Sequence, residues 1–164
     1  MTTRTFAPWV EPIAAAFQRQ RAELAELVRS IPLEAWDRPS PNEGWTYRDL
    51  LGHVATRDPR SMRLVLEAVV TKNPLDPAQL LSEEESPINN QLLAEVRDFA
   101  IEQMVAYIDA DTSGLLDLLA KLGSDDKDLR QAEFPISLSE ALGMMPQHDR
   151  MHMEQLRTSL EAKA

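Results

Sequence analysis

The sequence predicts an all-α protein built from four helices, and three observations carry this. Apolar residues recur at three- and four-residue steps through four long segments. No stretch shows the sustained two-residue alternation of a strand, and the 164 residues include only five glycines. Clusters of proline mark the connections between the periodic segments.

The first helix is expected from about Pro8 to Ile31, where Ile13, Phe17, Leu24, Leu27, Val28 and Ile31 share a face and Arg19, Glu23 and Glu26 fill the other. Pro32 ends it. Residues 32–45 carry three prolines and a glycine and read as a structured loop. Trp36 and Trp45 pin this loop to the bundle, or alternatively line a substrate pocket. Thr46 followed by Asp49 is an N-cap with an acidic residue at N3. The second helix starts there and runs to about Val70, with Pro59 positioned to kink it. Leu50, Val54 and Arg57 fall near one stripe of that helix, with His53 on its flank.

Residues 71–88 hold Pro74, Pro77, Pro87 and the acidic run Glu83-Glu84-Glu85, a solvated connection long enough to cross the end of a bundle. The second and third helices therefore need not be antiparallel neighbours. The third helix is expected as one long element from about Asn89 or Asn90 to Leu122, weakest between Asp109 and Gly114, with Gly123 as its stop. A polar loop follows. Ser137-Leu138-Ser139-Glu140 is a capping box that opens the fourth helix, expected to reach about Leu160. Leu138, Leu142, Met145, His152 and Leu156 form its inward stripe, His148 lies at the edge, and Pro146 should bend it.

The length fits a single domain spanning 1–164 with one sizeable core. No run approaches the roughly 18 apolar residues of a membrane span. The N-terminal stretch lacks the apolar core of a signal peptide, so a soluble cytoplasmic protein is expected. There is no cysteine, which excludes thiolate ligation and a cysteine nucleophile. A formal charge of -10 without a dense Lys/Arg cluster disfavours nucleic acid as a partner.

The chain has three histidines, and His148 and His152 stand four residues apart on the fourth helix. That spacing stacks two imidazoles on one face, about 6 Å apart along the axis. His53 comes from the second helix. Two ligands from one helix and one from a facing helix would form a three-histidine metal site with an open position. Neutral imidazole suits Zn, Ni or Fe(II), and such an ion lowers the pKa of bound water or of a bound thiol. The spacing alone is equally open to ordinary, partly buried helix histidines. Asp149 follows His148, so the glutamate of the HExxH protease signature is absent. Asp149 and Arg57 both lean inward by helical phase. They are open to two readings: an imidazole-orienting carboxylate and a substrate-carboxylate anchor, or residues that form a structural ion pair with each other or point to solvent.

Trp36, the run Glu43-Gly44-Trp45-Thr46-Tyr47-Arg48-Asp49-Leu50-Leu51-Gly52-His53-Val54-Ala55, and His148-Asp149-Arg150-Met151-His152-Met153-Glu154-Gln155-Leu156 resemble the DinB-like superfamily. That superfamily includes metal-dependent thiol S-transferases and the metal-binding domain of mycothiol-dependent maleylpyruvate isomerase. The resemblance implies a four-helix bundle with a long crossover between helices 2 and 3, and often a homodimer. It implies a divalent metal (Zn, Ni or Fe) on His53, His148 and His152.

The function expected from residues and resemblance together is a metal-dependent transferase. It would activate a low-molecular-weight thiol for attack on an electrophile. A metal-dependent hydrolase, and a non-catalytic stress-linked binding or dimerisation protein, stay open beside it.

Overall fold

The computed structural model describes residues 4–42, 44–75, 87–130 and 136–161. The acidic run Glu83-Glu84-Glu85 lies outside the described residues. Five α-helices follow in order: α1 (Glu11–Ser30), α2 (Tyr47–Thr71), α3 (Pro87–Val96), α4 (Ile101–Leu119) and α5 (Leu138–Glu161). Short 3-10 turns occupy Leu33–Ala35 and Ser124–Asp128. No strand occurs among the described residues, as the absence of two-residue alternation implies.

Two apolar clusters give the direction of each helix. One joins the beginning of α1 (Ala14, Phe17) to the far half of α2 (Met62, Val65, Leu66), the end of α4 (Leu115, Leu119) and the beginning of α5 (Leu138, Leu142). The other joins the end of α1 (Leu24, Val28) to the start of α2 (Leu50, Leu51), the start of α4 (Met104, Ile108) and the end of α5 (Met153, Leu156). So α1 and α5 run one way, and α2 and α4 the other. Helix α1 packs on α4 and α5, and α2 packs on the same two from the opposite corner. Parallel α2 and α4 cannot be joined by a tight turn, which is why a long crossover separates them.

The two sequence-read caps are formed as expected. The Asp49 amide donates to Thr46 Oγ1 at 3.1 Å and the Thr46 amide donates to Asp49 Oδ2 at 3.0 Å. At α5 the Ser137 amide donates to Glu140 Oε2 at 2.7 Å and the Glu140 amide donates to Ser137 Oγ at 3.3 Å. The backbone and hydroxyl donors of Ser137 hold the Glu140 carboxyl below its ordinary range. A carboxyl lowered in the folded state stabilises above its unfolded pKa, and the contribution is lost as pH falls through the lowered value. Melting curves of wild type and Glu140→Gln should therefore differ at neutral pH and converge as pH falls through the lowered value.

The third element departs from the expected single helix. The chain breaks at residues 97–100, not between Asp109 and Gly114. Ala100 adopts an extended conformation (φ -70°, ψ 166°), and its amide donates to Gln103 Oε1 at 2.8 Å, restarting the helix as α4. The carbonyls exposed by the break are met from α2: Arg48 Nη1 donates to Arg97 O at 3.2 Å and to Phe99 O at 3.1 Å. Nothing in the local apolar spacing signals this partner, because it comes from another helix. Gly52 lets α3 approach α2 closely. A β-carbon there would lie 3.0 Å from Val96 Cγ2. The stretch 109–114 is continuous helix instead, with Thr112 Oγ1 donating to Ile108 O at 2.6 Å.

The loop before α2 is anchored as its tryptophans suggest. Trp36 is fully buried, its indole N–H donates to Ile31 O at 3.3 Å, and the Arg48 guanidinium lies 4.9 Å over its ring. Gly44 takes φ +80°, a left-handed value that glycine accepts without strain. The turn it completes brings Ser40 N to donate to Trp45 O at 2.8 Å.

Candidate metal centre

His53 enters the interior because its neighbours leave it no other face. Leu50, Leu51, Val54 and Ala55 are all buried around it on the first turns of α2. The Trp45 ring packs against the imidazole with centroids 4.9 Å apart. His152 reaches the same place from α5, between the buried Asp149, Met153 and Leu156. The two imidazoles meet edge to face, centroids 5.4 Å apart and planes at 89°. Both are almost fully buried, at 3% and 2% exposure. The structure thus brings together two of the three histidines singled out in the sequence, although they lie on opposite corners of the chain order. The side chains of His148 and Met145 lie outside the described residues.

Gln155, one turn after His152, orients that ring. Its Oε1 lies 2.9 Å from His152 Nδ1. A carbonyl oxygen only accepts, so Nδ1 is the donor in this contact. A metal-ligating imidazole is oriented in this way by an outer partner. Gln155 stands in the quoted closing motif, but its role was not read from sequence. The three-residue step from His152 was the available signal.

The two described donors suit a divalent ion in chemistry, and their ring separation has room for one. Two ring nitrogens sharing an ion at about 2.0–2.1 Å place their ring centres about 5 Å apart. The observed separation of 5.4 Å is of that size. Among the described residues no group of three or more His, Asp or Glu side chains is gathered for a metal.

Below the histidines lies a polar layer between the two apolar clusters. Asp149 is 3% exposed and its carboxyl is pushed well above the ordinary range, first by burial and then by the nearby Asp58 carboxylate. Its Oδ2 lies 3.9 Å from Arg21 Nη1. Arg57 is partly buried, and burial lowers its pKa, with Asp58, Arg60 and Asp149 as its charged neighbours. It hydrogen-bonds Ser61 on its own helix. Arg21, absent from the sequence reading, is the hub of the layer. The signal for it was present, since Phe17, Arg21, Leu24 and Val28 follow the apolar spacing of α1 and put a charge inside the stripe.

Residues 17–150 match the family described as the mycothiol maleylpyruvate isomerase N-terminal domain. The chain belongs to this family. Among solved structures it resembles the crystal structure of the mycothiol-dependent maleylpyruvate isomerase, with TM-score 0.69 and 16% sequence identity, over 90% of this chain and 60% of that one. A mutant of the isomerase with a histidine replaced by alanine matches with TM-score 0.68 and 15% identity over the same shares. The chain therefore spans about 60% of the length of those proteins, and at this identity the likeness is one of fold. No curated protein matches the chain. Family and fold agree with the DinB-like, all-α resemblance drawn from the motifs. Among the described residues of this family member, no helix is long and apolar enough to cross a membrane.

Proposed function

We propose that this protein is a metal-dependent transferase that activates a low-molecular-weight thiol, with His53, His148 and His152 as its metal ligands. The observation that carries the reading is the convergence of the buried His53 and His152 rings, with Gln155 Oε1 against His152 Nδ1. Membership of a family named for a mycothiol-dependent isomerase supports a small thiol of that class as partner. A divalent ion bound there would lower the pKa of a thiol and supply a nucleophile at neutral pH.

The protein's own residues do the rest. Trp45 and the apolar start of α2 exclude water around His53, which strengthens electrostatic interactions in the pocket. His152 is held in one ring orientation by Gln155. Arg57, one turn after His53 on α2, is the cation suited to a carboxylate on the electrophile. Asp149 serves the layer beneath the ligands. The ion is Zn, Ni or Fe, the molecule is a homodimer, and its address is the cytoplasm.

Elemental analysis of the purified protein, followed by a screen of mycothiol and other small thiols against electrophiles, tests this. About one equivalent of metal per chain, with turnover only in the presence of a thiol, is the expected result. Turnover without any thiol would replace the transferase with a hydrolase. Metal without turnover would leave only the binding site.

A further inference from the structure

Arg21 is 1% exposed, and one side chain reaches all four helices of the bundle. From α1 its Nη1 donates to Val54 O at 3.1 Å and its Nη2 donates to Ala55 O at 2.9 Å, both on α2. Its Nε donates to Thr112 Oγ1 of α4 at 3.4 Å. The Asp149 carboxylate of α5 lies 3.9 Å from Nη1, and Asp111 Oδ2 lies 3.9 Å from Nη2. Arg63 Nη2 holds the other Asp111 oxygen at 2.6 Å.

Burying a guanidinium costs several kcal/mol unless its donors and charge are met. Here a gap in α2 meets them. Ala55 O would ordinarily accept from the amide four residues on, but that residue is Pro59, which has none. Arg21 supplies the missing donor. The two α2 carbonyls it holds belong to the residues directly after His53. The carboxylate it faces belongs to the residue directly after His148.

We propose that Arg21 is the positioning residue of the metal centre. Its two carbonyl bonds hold the α2 turn that carries His53, while its charge faces, at 3.9 Å, the α5 turn that carries the other two ligands, and the two together set their separation. This rests on the metal reading given under Proposed function. A guanidinium suits the task because its rigid fork holds two adjacent α2 carbonyls while its charge still faces α5; a lysine ammonium has no such fork.

The test uses the full chain as wild type, Arg21→Met, Arg21→Lys and Thr112→Val. Zn(II) affinity is measured by competition with a chromophoric chelator. The visible absorption of the Co(II)-loaded protein reports ligand geometry, and thermal melts report folding. Wild type should bind Zn(II), and Arg21→Met should bind it about tenfold to a hundredfold more weakly with an altered Co(II) spectrum. Arg21→Lys should fall between them. Thr112→Val, which removes the hydroxyl acceptor on α4 and leaves the α2 and α5 contacts in place, should lower the melting temperature and leave affinity and spectrum unchanged. If Arg21→Met does not fold, Arg21→Lys carries the test alone. Wild-type affinity and spectrum in a folded Arg21→Met or Arg21→Lys would overturn the positioning role while the metal centre stands. Failure of the wild type to bind Zn(II) would remove the centre and the role with it.

Discussion

Replacing His53 with alanine is expected to abolish stoichiometric binding of Zn or Ni while leaving the bundle folded. The imidazole is the one histidine that α2 contributes to the proposed ligand set. A three-ligand site reduced to two imidazoles on one helix loses the clamp between α2 and α5. Loss of metal should be visible twice: in elemental content, and in a melting temperature that no longer rises with added metal. A ligand that binds only the folded state stabilises by about 2.7 kcal/mol at a hundredfold excess over its Kd. Wild type should show that rise. A companion change, Gln155→Leu, removes the partner of His152 Nδ1 without touching a ligand. It should weaken binding about tenfold to a hundredfold and no further. A His53→Ala protein that retains one equivalent of metal would sink the ligand assignment.

Trp36→Ala should produce the largest loss of stability among single substitutions in the loop. The ring is fully buried in the cluster that also holds Tyr47, Leu50 and Leu51. Truncating a buried tryptophan costs about 3–5 kcal/mol through lost transfer energy and the cavity left behind. The Ile31 carbonyl also loses the indole donor, and Arg48 loses the ring beneath its guanidinium. Arg48 in turn serves the carbonyls at the α3–α4 break, so the damage should spread to that junction. A drop in melting temperature of about 10 °C is expected, read by circular dichroism. Metal affinity should fall less than stability, because the ring against His53 is Trp45, not Trp36.

Much of this fold was legible from local signals. Both capping boxes, the stop at Pro32 and the extents of α1, α2 and α5 follow from residues within a few positions of each boundary. The α3–α4 break was not legible, because what stabilises it is Arg48, some fifty positions earlier in the chain. Its apolar residues keep helical spacing across the gap. Conversely, 109–114 read as weak because it is polar, yet Thr112 and Asp111 face the buried layer and are held there.

The same division runs through the candidate site. The histidines stood out by scarcity and spacing, and the structure joins His53 to His152. The outer partners were harder to see. Gln155 is a common residue on a helix face, and its meaning appears only with the ring it touches. Arg21 has meaning only in relation to Pro59 on a different helix. Sequence periodicity assigns faces, but it does not say which polar group on one face answers a missing donor on another.

The parallel course of α2 and α4 also bears on how the chain reaches this state. An up-and-down bundle can assemble from successive hairpins, each closing a short loop. Here the neighbours of α1 are α4 and α5, so the first helix finds its lasting partners only after most of the remaining chain has been brought back to it. Closing such long loops exacts entropy before any contact rewards it. Refolding should accordingly be slower than in a hairpin-built bundle of similar length, with the earliest helix among the last to dock.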